Sequence, residues 1–438
     1  MKALVRFFVV IMQKYLPDAF LFAVILTFIA FGAAWLKTGK TFMEIVNAWG
    51  GGMWSLLGFS MQMILVVVTG HTMASSKPVK RLLSSLASIP TDTASAGMLC
   101  SFVAVICCWI NWGFGLIVAA LLARELARKV PNMDYGYVVA AGYAGFIVWH
   151  GGLSGSIPLT VASSNNIVKD LIIPTTQTIF CWQNLLISGL MIVTLPLLFK
   201  LIAPAKEHIR VIDPQLLIDP EEAEEPVNKT VAEKLEYSRI ITWVLGALGV
   251  IYLGNYFMKN GVLTLSLNIV IFVFMWAGIL LHGTPIAYIR AVNEAIKGAA
   301  GIAVQFPLYA GIQGIMIGTG LAAIIAKWFV SISTPVTFPL FTFIAGGVIN
   351  FFVPSGGGQW VVQGPINIPA GLELGVDPAK VAMSIAYGDQ WTNMIQPFWA
   401  LPLLGIAKLG ARDIMGYCVM VLIWTGLIMG AGLLFLPW

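Results

Sequence analysis

The run FFVPSGGGQWVVQGP, at residues 351–365, places three consecutive glycines, a serine and two glutamines inside an otherwise apolar region. A hydrocarbon core tolerates polar, helix-breaking backbone only where protein or a water-filled cavity covers it, because an unsatisfied N–H or C=O group is costly there. Freed N–H groups at the start of a half-helix favour an anion, and glycine lets a ligand approach the backbone closely. The run therefore predicts an anion-binding site.

A second interruption, INWGFG at residues 110–115, makes a matching break in the first half of the chain. Two matched breaks are typical of transporters, whose substrate sites form between discontinuous helices. The alternative is that isolated glycines only permit close packing of helices. The residues predicted to bind substrate are Asn111, Gly113, Gly115, Asn350, Ser355, Gly356, Gly357, Gly358, Gln359, Trp360 and Gln363.

Asp389 is the most informative ionisable residue, because it interrupts the apolar span from Val381 to Ala407. An aspartate at the bilayer centre costs about 2.5–3.5 kcal/mol on insertion scales, so it persists where a cation, a proton or a partner offsets that cost. We predict that it couples transport to a proton or a sodium ion, unless it only caps one half of a broken helix. The predicted ion-coupling residues are Asp389, Thr392, Asn393, Ser154 and Ser156, with no cofactor and no resident metal.

His150 and His71 also lie in apolar segments and could titrate. A single histidine in an apolar helix is more often a satisfied core residue, so we place neither in the predicted site. The five cysteines form no Cys-x-x-Cys pair with a nearby histidine, which favours a packing role.

The composition predicts the class of protein independently of these motifs. Hydrophobic residues make up 58% of the 438 residues, charged residues only 10%, and the mean hydropathy is +0.87. A soluble protein of this length needs more polar surface, so the chain is predicted to cross a lipid bilayer several times. The net charge of +5 fits basic cytoplasmic loops and requires no nucleic acid partner.

Four pairs of segments match in the same order in the two halves of the chain, which indicates an internal duplication. In the last pair, GYAGFIVWHGGLSGSIPL at 142–159 matches AYGDQWTNMIQPFWALPL at 386–403, so that Tyr143 and Tyr387 fall at one offset. The predicted fold is an all-α polytopic membrane protein with two inverted-topology repeats. Each repeat has a re-entrant hairpin and a broken transmembrane helix, and a cytoplasmic linker and one extra helix join the repeats.

The predicted segments follow from apolar length, breaks and charge. They are an interfacial N-terminal segment at 1–18; repeat 1 at 19–202, with its hairpin at about 93–123 and its broken helix at about 137–160; a charged linker at 203–239; an extra helix at 240–258; and repeat 2 at 265–438, with its hairpin at about 335–369 and its broken helix at about 381–407.

The distribution of Lys and Arg predicts the orientation of the chain. Basic residues at 77–81 and at 124–129 flank the first hairpin, which places both of its ends in the cytoplasm. The second hairpin has weakly basic flanks and is predicted to open to the outer side. The N-terminus is then cytoplasmic and the C-terminus periplasmic.

INWGFG at 110–115, SGGGQWVVQGP at 355–365, AYGDQW at 386–391, QPFWALP at 396–402 and RDIMGYC at 412–418 resemble the short-chain fatty acid transporter family. The similarity extends over essentially the whole chain, including VVTGH at 67–71 and VQFPLYAGIQ at 304–313. The resemblance implies transport of acids such as butyrate or acetoacetate across the bacterial inner membrane. It also implies kinship with a larger ion-transporter superfamily, and by analogy a homodimer with an elevator-like mechanism.

For such a substrate, the hairpin tips would supply anion-favouring donors, and Trp360, Trp112 and Phe114 would line the apolar tail. We predict secondary active transport driven by Na+ or H+. An anion channel, or a carrier for another small carboxylate, is the alternative. An enzyme is not expected, because no histidine-rich metal spacing, Gly-x-Ser-x-Gly elbow or phosphate loop is present in the sequence.

Overall fold

The computed structural model describes residues 2–163, 168, 171–213, 217, 230–261 and 266–438. The acidic run at 220–226, in the predicted linker, lies outside the described residues. The described residues form twenty-one α-helices, several 3₁₀ segments and no strand. Helices satisfy the backbone hydrogen bonds within each segment, which an apolar environment requires.

The first half contains ten helices. They are α1 Lys2–Tyr15, α2 Ala19–Lys37, α3 Phe42–Gly52, α4 Leu57–Ala74, α5 Lys77–Ala87, α6 Thr93–Ile110, α7 Trp112–Lys129, α8 Tyr135–Ala144, α9 Ser156–Val161 and α10 Trp182–Ile202. A 3₁₀ segment, Gly145–Gly151, continues directly from α8.

The remaining helices follow from the linker onwards. They are α11 Val231–Glu236, α12 Arg239–Asn260, α13 Leu267–His282, α14 Pro285–Ala295, α15 Ala300–Gly318, α16 Leu321–Ser331, α17 Phe338–Asn350, α18 Gly356–Glu373, α19 Pro378–Thr392, α20 Leu401–Ala407 and α21 Ala411–Phe435. A 3₁₀ segment, Pro397–Ala400, precedes α20.

Seven helical stretches among the described residues are long and apolar enough to cross a membrane. They include α2, α10, α21 and the extra helix α12, which matches the helix predicted at 240–258. Two more stretches, Phe42–Ala74 and Pro285–Gly318, combine neighbouring helices. The protein is thus a multi-span membrane protein, as its composition predicts.

Helices α6 and α7 form the first helical hairpin, with Asn111 as the residue between them. The two helices run antiparallel, because Cys100 Sγ contacts Ala119 O at 3.8 Å and a Cβ added at Gly115 would overlap Cys108. Asp92 caps the start of α6, and its hydrogen bonds from Ser95 lower the pKa of its carboxyl group. The hairpin extends to Lys129 rather than 123, since α7 continues through the basic residues.

Helices α17 and α18 form the second hairpin. Hydrogen bonds from Gln359 Nε2 to Gly346 O at 2.8 Å and from Asn367 Nδ2 to Thr342 Oγ1 at 3.2 Å show that these helices are also antiparallel. The hairpin spans Phe338–Glu373, three to four residues later than predicted at each end. The prediction ended the hairpin at Pro369, but α18 continues through this proline for another turn.

Both predicted broken helices are interrupted. In the first half, the chain between Gly151 and Ser156 is not helical and separates the 3₁₀ segment from α9. In the second half, α19 ends at Thr392, and residues 393–396 separate it from the 3₁₀ segment before α20. The interrupted segments span 135–161 and 378–407, close to the predicted 137–160 and 381–407.

The two hairpins have their open ends at opposite ends of the molecule. Helices α10 and α21 run antiparallel along its length, since Gln183 Nε2 donates to Pro437 O at 2.5 Å and Trp424 Nε1 donates to Thr194 Oγ1 at 3.1 Å. Pro437 therefore marks one end of the molecule, and the other end of α10 leads into the linker.

The open end of the first hairpin lies at the linker end. Asp134 N donates to Thr93 Oγ1 at 3.3 Å, and Arg210 N donates to Asp134 Oδ2 at 3.0 Å. The open end of the second hairpin lies at the C-terminal end, because Lys380 Nζ, just after that hairpin, donates to Leu436 O at 3.3 Å. The inverted repeat and the re-entrant character of the hairpins stay predictions, and these contacts agree with them.

Candidate substrate and ion site

A cavity of about 500 Å³ lies where both hairpin tips meet both broken helices. Side chains of α4 and α13 complete its wall. The lining residues are Phe59, Gln62, Asn111, Trp112, Trp149, Ser154, Ser156, Leu159, Thr160, Ser163, Ser266, Leu267, Ser355, Gly356, Gly357 and Trp399. Seven residues predicted from sequence are among them, namely Asn111, Trp112, Ser154, Ser156, Ser355, Gly356 and Gly357.

Two of the helices that begin at this cavity belong to the hairpins. Asn111 caps α7, with its Oδ1 accepting from Phe114 N at 3.1 Å, and Ser355 caps α18, with its Oγ accepting from Gly358 N at 3.3 Å. Side-chain caps satisfy one of the unpaired N–H groups at each helix start and leave others for a ligand. The cavity therefore faces the positive ends of two helix dipoles.

Gly357 leaves open space at the tip of the second hairpin. A Cβ added there would meet no atom within 4 Å, and the residue is exposed to the cavity. Its neighbour Gly356 is buried, and a Cβ there would overlap Ser156 Oγ and lie 3.0 Å from His150 Nε2. Gly356 is thus required for close approach of the hairpin tip to the first broken helix, whereas Gly357 faces the cavity.

The tip of the first hairpin is bound to the first break. Trp112 N donates to Ser154 Oγ at 3.0 Å, and Leu153 N donates to Trp109 O at 2.8 Å. A Cβ on Gly152 would overlap Trp109 O, so only glycine permits this approach. Ser154, predicted to bind an ion, thus accepts a backbone hydrogen bond at the cavity wall.

Asp389 contacts His150 of the first broken segment, and His150 in turn lies next to Gly356. Its Oδ1 is 3.2 Å from His150 Nε2, and both side chains are completely buried. His150 N also donates to Gln390 Oε1 at 2.9 Å. Asp389 lies inside α19, three residues before its end, so it does not cap a half-helix.

Three buried polar atoms around this contact have no hydrogen-bond partner within the part of the chain that the structure describes. They are Asp389 Oδ2, His150 Nδ1 and Ser156 Oγ. An unpaired buried polar atom is costly, so these atoms indicate a place where a small ligand or a proton binds.

Thr392 and Asn393 bind the second hairpin and do not line the cavity. Asn350 Nδ2 donates to Thr392 Oγ1 at 2.9 Å and to Asn393 Oδ1 at 2.8 Å, and Thr392 Oγ1 donates to Gly347 O at 2.9 Å. These bonds fix α17 to the break after α19. Asn350 was predicted to bind substrate, but its amide group is used in this contact.

Several other predicted substrate residues also lie away from the cavity. Gln359 Nε2 donates to Gly346 O and to Gln363 Oε1 at 2.9 Å, so both glutamines bind within the second hairpin. Trp360 belongs to an apolar cluster that includes Ile157 and Phe338. Consecutive residues of a helix face different directions, so residues of one run can point either towards the cavity or away from it. The sequence alone does not show which of the residues 355–363 face the cavity.

The remaining predicted positions pack against neighbouring helices. A Cβ at Gly358 would lie 2.5 Å from Gln313 Nε2, and one at Gly113 would lie 3.5 Å from Leu267 Cδ1. Gly115 packs against Cys108. Phe114, expected to line the substrate tail, packs instead against Phe274 at a ring distance of 5.9 Å.

Two tryptophans that were not among the residues predicted from sequence also line the cavity. Trp149 and Trp399 come from the two broken helices, with ring centroids 5.5 Å apart. Trp112 lies 5.1 Å from Trp399 and 6.1 Å from Trp149. The three rings form the aromatic wall of the cavity. Trp149 lies in the segment 142–159 and Trp399 in the matching segment 386–403. The alignment of these two segments was the sequence feature that could have indicated both tryptophans.

His150 was interpreted from sequence as a core residue, but its Nε2 lies 3.2 Å from Asp389 Oδ1. Tyr143 and Tyr387, which occupy equivalent positions in the two matched segments, could have indicated that the two helix breaks lie close together. Tyr143 OH donates to Asn393 O at 2.7 Å, and Tyr387 OH donates to Asn184 Oδ1 at 2.9 Å. Asn184 Nδ2 in turn donates to Gly151 O at 2.9 Å, so each tyrosine reaches the opposite break.

No cluster of three or more histidine, cysteine, aspartate or glutamate side chains occurs in the described ranges. All five cysteines are free thiols in apolar segments. The polar groups at the cavity are hydroxyl, amide and backbone groups, together with the aspartate and histidine behind Gly356. Such a set can bind an anion and exchange a proton or a cation.

The family model described as "Short chain fatty acid transporter" matches residues 1–436. The chain belongs to this family. It is 46% identical to a Haemophilus influenzae protein over 98% of this chain and 99% of that protein, and 46% identical to an Escherichia coli protein over 98% of both. Both relatives bear the name "Putative short-chain fatty acid transporter". Family members are transporters and not enzymes.

Two solved structures are similar over nearly the whole chain. The Alcanivorax borkumensis YdaH transporter is 18% identical, with a TM-score of 0.43, over 95% of this chain and 97% of that one. Neisseria gonorrhoeae MtrF is 13% identical, with a TM-score of 0.36, over 98% and 97%. At these scores neither similarity supports a conclusion about this chain.

Proposed function

We propose that this protein is a secondary active transporter that carries short-chain fatty acids across the bacterial inner membrane, coupled to Na+ or H+. The observation that carries the proposal is the cavity between both hairpin tips and both broken helices, with a buried carboxylate directly behind it. Membership of the short-chain fatty acid transporter family supports the substrate class, and butyrate and acetoacetate are the acids we expect.

The substrate carboxylate binds at the starts of α7 and α18. Helix N-termini favour an anion by about 0.3–1 kcal/mol each at exposed sites and by up to about 2 kcal/mol when partly buried. Ser355, Gly357 and Asn111 are the cavity residues nearest these N–H groups in the chain. The apolar tail then lies against the aromatic wall of Trp112, Trp149 and Trp399.

Coupling arises because the ion and the substrate bind on two sides of the same hairpin tip. Gly356 lines the cavity and lies next to His150, which contacts Asp389, so binding in the cavity changes the electrostatic environment of this pair. An anion in the cavity and an ionised Asp389 repel each other in this low-dielectric region, which favours transport of a cation together with the acid.

Alternating access follows from the two inverted repeats that we propose. In the orientation that the basic loops favour, the first hairpin opens to the cytoplasm, the second opens to the periplasm, and the cavity lies between their tips. The N-terminus is then cytoplasmic and the C-terminus periplasmic. Assembly as a homodimer belongs to this proposal by analogy with the superfamily.

Uptake of labelled butyrate into proteoliposomes tests the function. An inward sodium gradient and an inward proton gradient are imposed separately, and uptake into protein-free liposomes is subtracted. A carrier should show saturable uptake driven by one of the gradients. It should also show counterflow, in which unlabelled butyrate inside the proteoliposomes exchanges for labelled butyrate outside. Non-saturating equilibration with neither gradient would indicate an anion channel. Saturable uptake of another small carboxylate, without uptake of butyrate, would show that the protein carries a different substrate from the one proposed.

A further inference from the structure

We infer that the coupling ion is a proton, and that His150 and Asp389 hold it as one site beneath Gly356. This inference rests on the proposed carrier function and adds the identity and the location of the ion. It assigns His150, which the sequence analysis left in the core, to the coupling step.

The contacts of Asp389 favour a proton over a metal cation. Its Oδ1 faces an imidazole nitrogen at 3.2 Å, whereas hard cations bind shells of oxygen ligands. Two of the predicted oxygen ligands, Thr392 and Asn393, also take part in other contacts. Thr392 Oγ1 donates to Gly347 O, and Asn393 Oδ1 accepts from Asn350. A carboxylate facing an imidazole is an arrangement that binds and releases a proton at N–H or O–H.

The charges of His150, Asp389 and the substrate carboxylate determine how many protons accompany each acid. With one proton shared between them, His150 and Asp389 are neutral as a pair, either as two uncharged groups or as an ion pair. A second proton makes the pair +1, and loss of the shared proton makes it −1. Because a net charge in a buried site is costly, a carboxylate of charge −1 is best balanced by the pair carrying two protons. One proton therefore enters with each acid and leaves with it on the other side.

Charged side chains of the helices that pack against α19 lie at helix ends. Helix α17 and helix α9 carry none, α18 has Glu373 as its last residue, and α21 has Arg412 and Asp413 in its first turn. Lys380 lies in the first turn of α19 itself. Among the described residues, His150 is the titratable side chain that contacts Asp389.

The other titratable groups on these elements are uncharged near neutral pH. They are Tyr387 on α19, and Tyr417 and Cys418 on α21. Tyr387 donates its proton in a hydrogen bond to Asn184 Oδ1. The pH dependence of coupling is therefore assigned to the pair of His150 and Asp389.

The tip of the second hairpin controls access to this pair. Ser156 lines the cavity, its Oγ is buried without a hydrogen-bond partner among the described residues, and a Cβ at Gly356 would overlap it. The same Cβ would be 2.7 Å from His150 Cε1. Gly356 thus covers the route from the cavity past Ser156 to His150. A shift of this tip would open the pair to water in the cavity.

The test measures the initial rate of labelled butyrate uptake into proteoliposomes while the external pH is varied at fixed internal pH. Uptake by protein-free liposomes is subtracted, because the neutral acid crosses lipid unaided. We expect the protein-dependent rate to rise by up to about tenfold for each unit of external acidification, since the pair binds one added proton. Replacing sodium by choline should leave the rate unchanged.

Two variants locate the proton site. Asp389→Asn and His150→Gln should each abolish the dependence on external pH, while exchange of labelled for unlabelled butyrate stays measurable at a reduced rate. Asp377→Asn is the matched control, because Asp377 caps the start of the same helix and asparagine also caps helices. It should retain the pH dependence of the wild-type protein.

The outcomes separate the two proposals. Wild-type uptake that follows sodium and ignores external pH would overturn the proton site, whatever the variants do. Retention of the wild-type pH dependence by Asp389→Asn or by His150→Gln would overturn it as well. Absence of any saturable butyrate uptake or exchange in the wild-type protein would remove the proposed function, and the coupling site with it.

Discussion

The lining residues of the cavity include no lysine and no arginine, in the part of the chain that the structure describes. Backbone N–H groups and hydroxyls face it instead. A buried cationic side chain would bind a carboxylate strongly and would be costly to leave unpaired when the site is empty. We expect neutral donors to bind the proposed substrate weakly enough for release, which repeated transport requires.

Gly357→Leu tests whether the glycine run faces the substrate. The leucine side chain would extend from a position with no neighbouring atom within 4 Å into the cavity and occupy space that the acid needs. We expect the apparent affinity for butyrate to fall by about tenfold or more, measured by counterflow, in line with a steric cost of about 1–3 kcal/mol. Gly189→Leu on α10, where a Cβ also meets no atom, is the control. Equal transport by both variants would mean that Gly357 does not face the substrate.

Trp399→Phe tests the aromatic wall. The smaller ring should lengthen the apolar part of the cavity and shift the preference from butyrate towards hexanoate. One methylene group in an apolar pocket changes binding by about 1–3 kcal/mol, so the ratio of the two inhibition constants should change by about tenfold or more. Competition of each acid with labelled butyrate measures this ratio. Trp360→Phe, a buried tryptophan away from the cavity, should leave the ratio as it is.

At the scale of elements, each hairpin tip is attached to a broken helix by hydrogen bonds. The first attachment uses Ser154 and the backbone of Leu153, and the second uses Asn350 with Thr392. The polar residues that interrupt the apolar segments are thus largely used to join the elements. The cavity is what remains between them, lined by the few polar groups that face it.

Asn350→Ala tests the attachment of the second hairpin. The change removes two hydrogen bonds and leaves Asn393 Oδ1 without this donor in a buried site, so the free energy of unfolding should fall by about 1–3 kcal/mol. The midpoint of thermal unfolding in detergent measures the loss. Thr194→Val on α10, which removes two hydrogen bonds that are exposed rather than buried, should have a smaller effect. A midpoint equal to that of the wild-type protein would show that the attachment does not stabilise the fold.

At the scale of the molecule, the hairpins enter from opposite ends and their tips meet near the middle. Helices α10 and α21 define the long direction, and the linker and the C-terminus mark its two ends. Because a transporter must expose one site alternately to two sides, the proposed mechanism uses one hairpin tip for each side. Tyr143 and Tyr387 also form a reciprocal pair of contacts between the two halves of the chain. Tyr143 donates to Asn393 O in the second half, and Tyr387 donates to Asn184 Oδ1 in the first half.

Labelling of introduced cysteines tests this orientation. In a cysteine-free background, Thr91→Cys lies before the first hairpin and Glu373→Cys at the end of the second, both at exposed positions. A membrane-impermeant maleimide added to intact cells should label position 373, and position 91 only after the inner side is made accessible. Labelling of both positions from the same side would contradict the inverted arrangement.

The sequence by itself determined the class of protein, the family and the places where the helices break. These properties depend on local composition, since twenty or so apolar residues form a span and a polar Gly-rich run ends one. Residues 111–112 and 355–357 lie at helix starts and line the cavity, and α12 spans Arg239–Asn260. These features are independent of how distant segments pack.

Only the tertiary structure decided which residues within those breaks face the cavity and which partner Asp389 has. Gln359, Gln363 and Asn350 have the polarity of site residues, but their amides bind other parts of the fold. His150 lies 239 residues before Asp389 in the chain, and no local pattern brings them together. Side-chain direction and long-range contacts depend on the packing of all the helices, which is why the sequence alone does not reveal them.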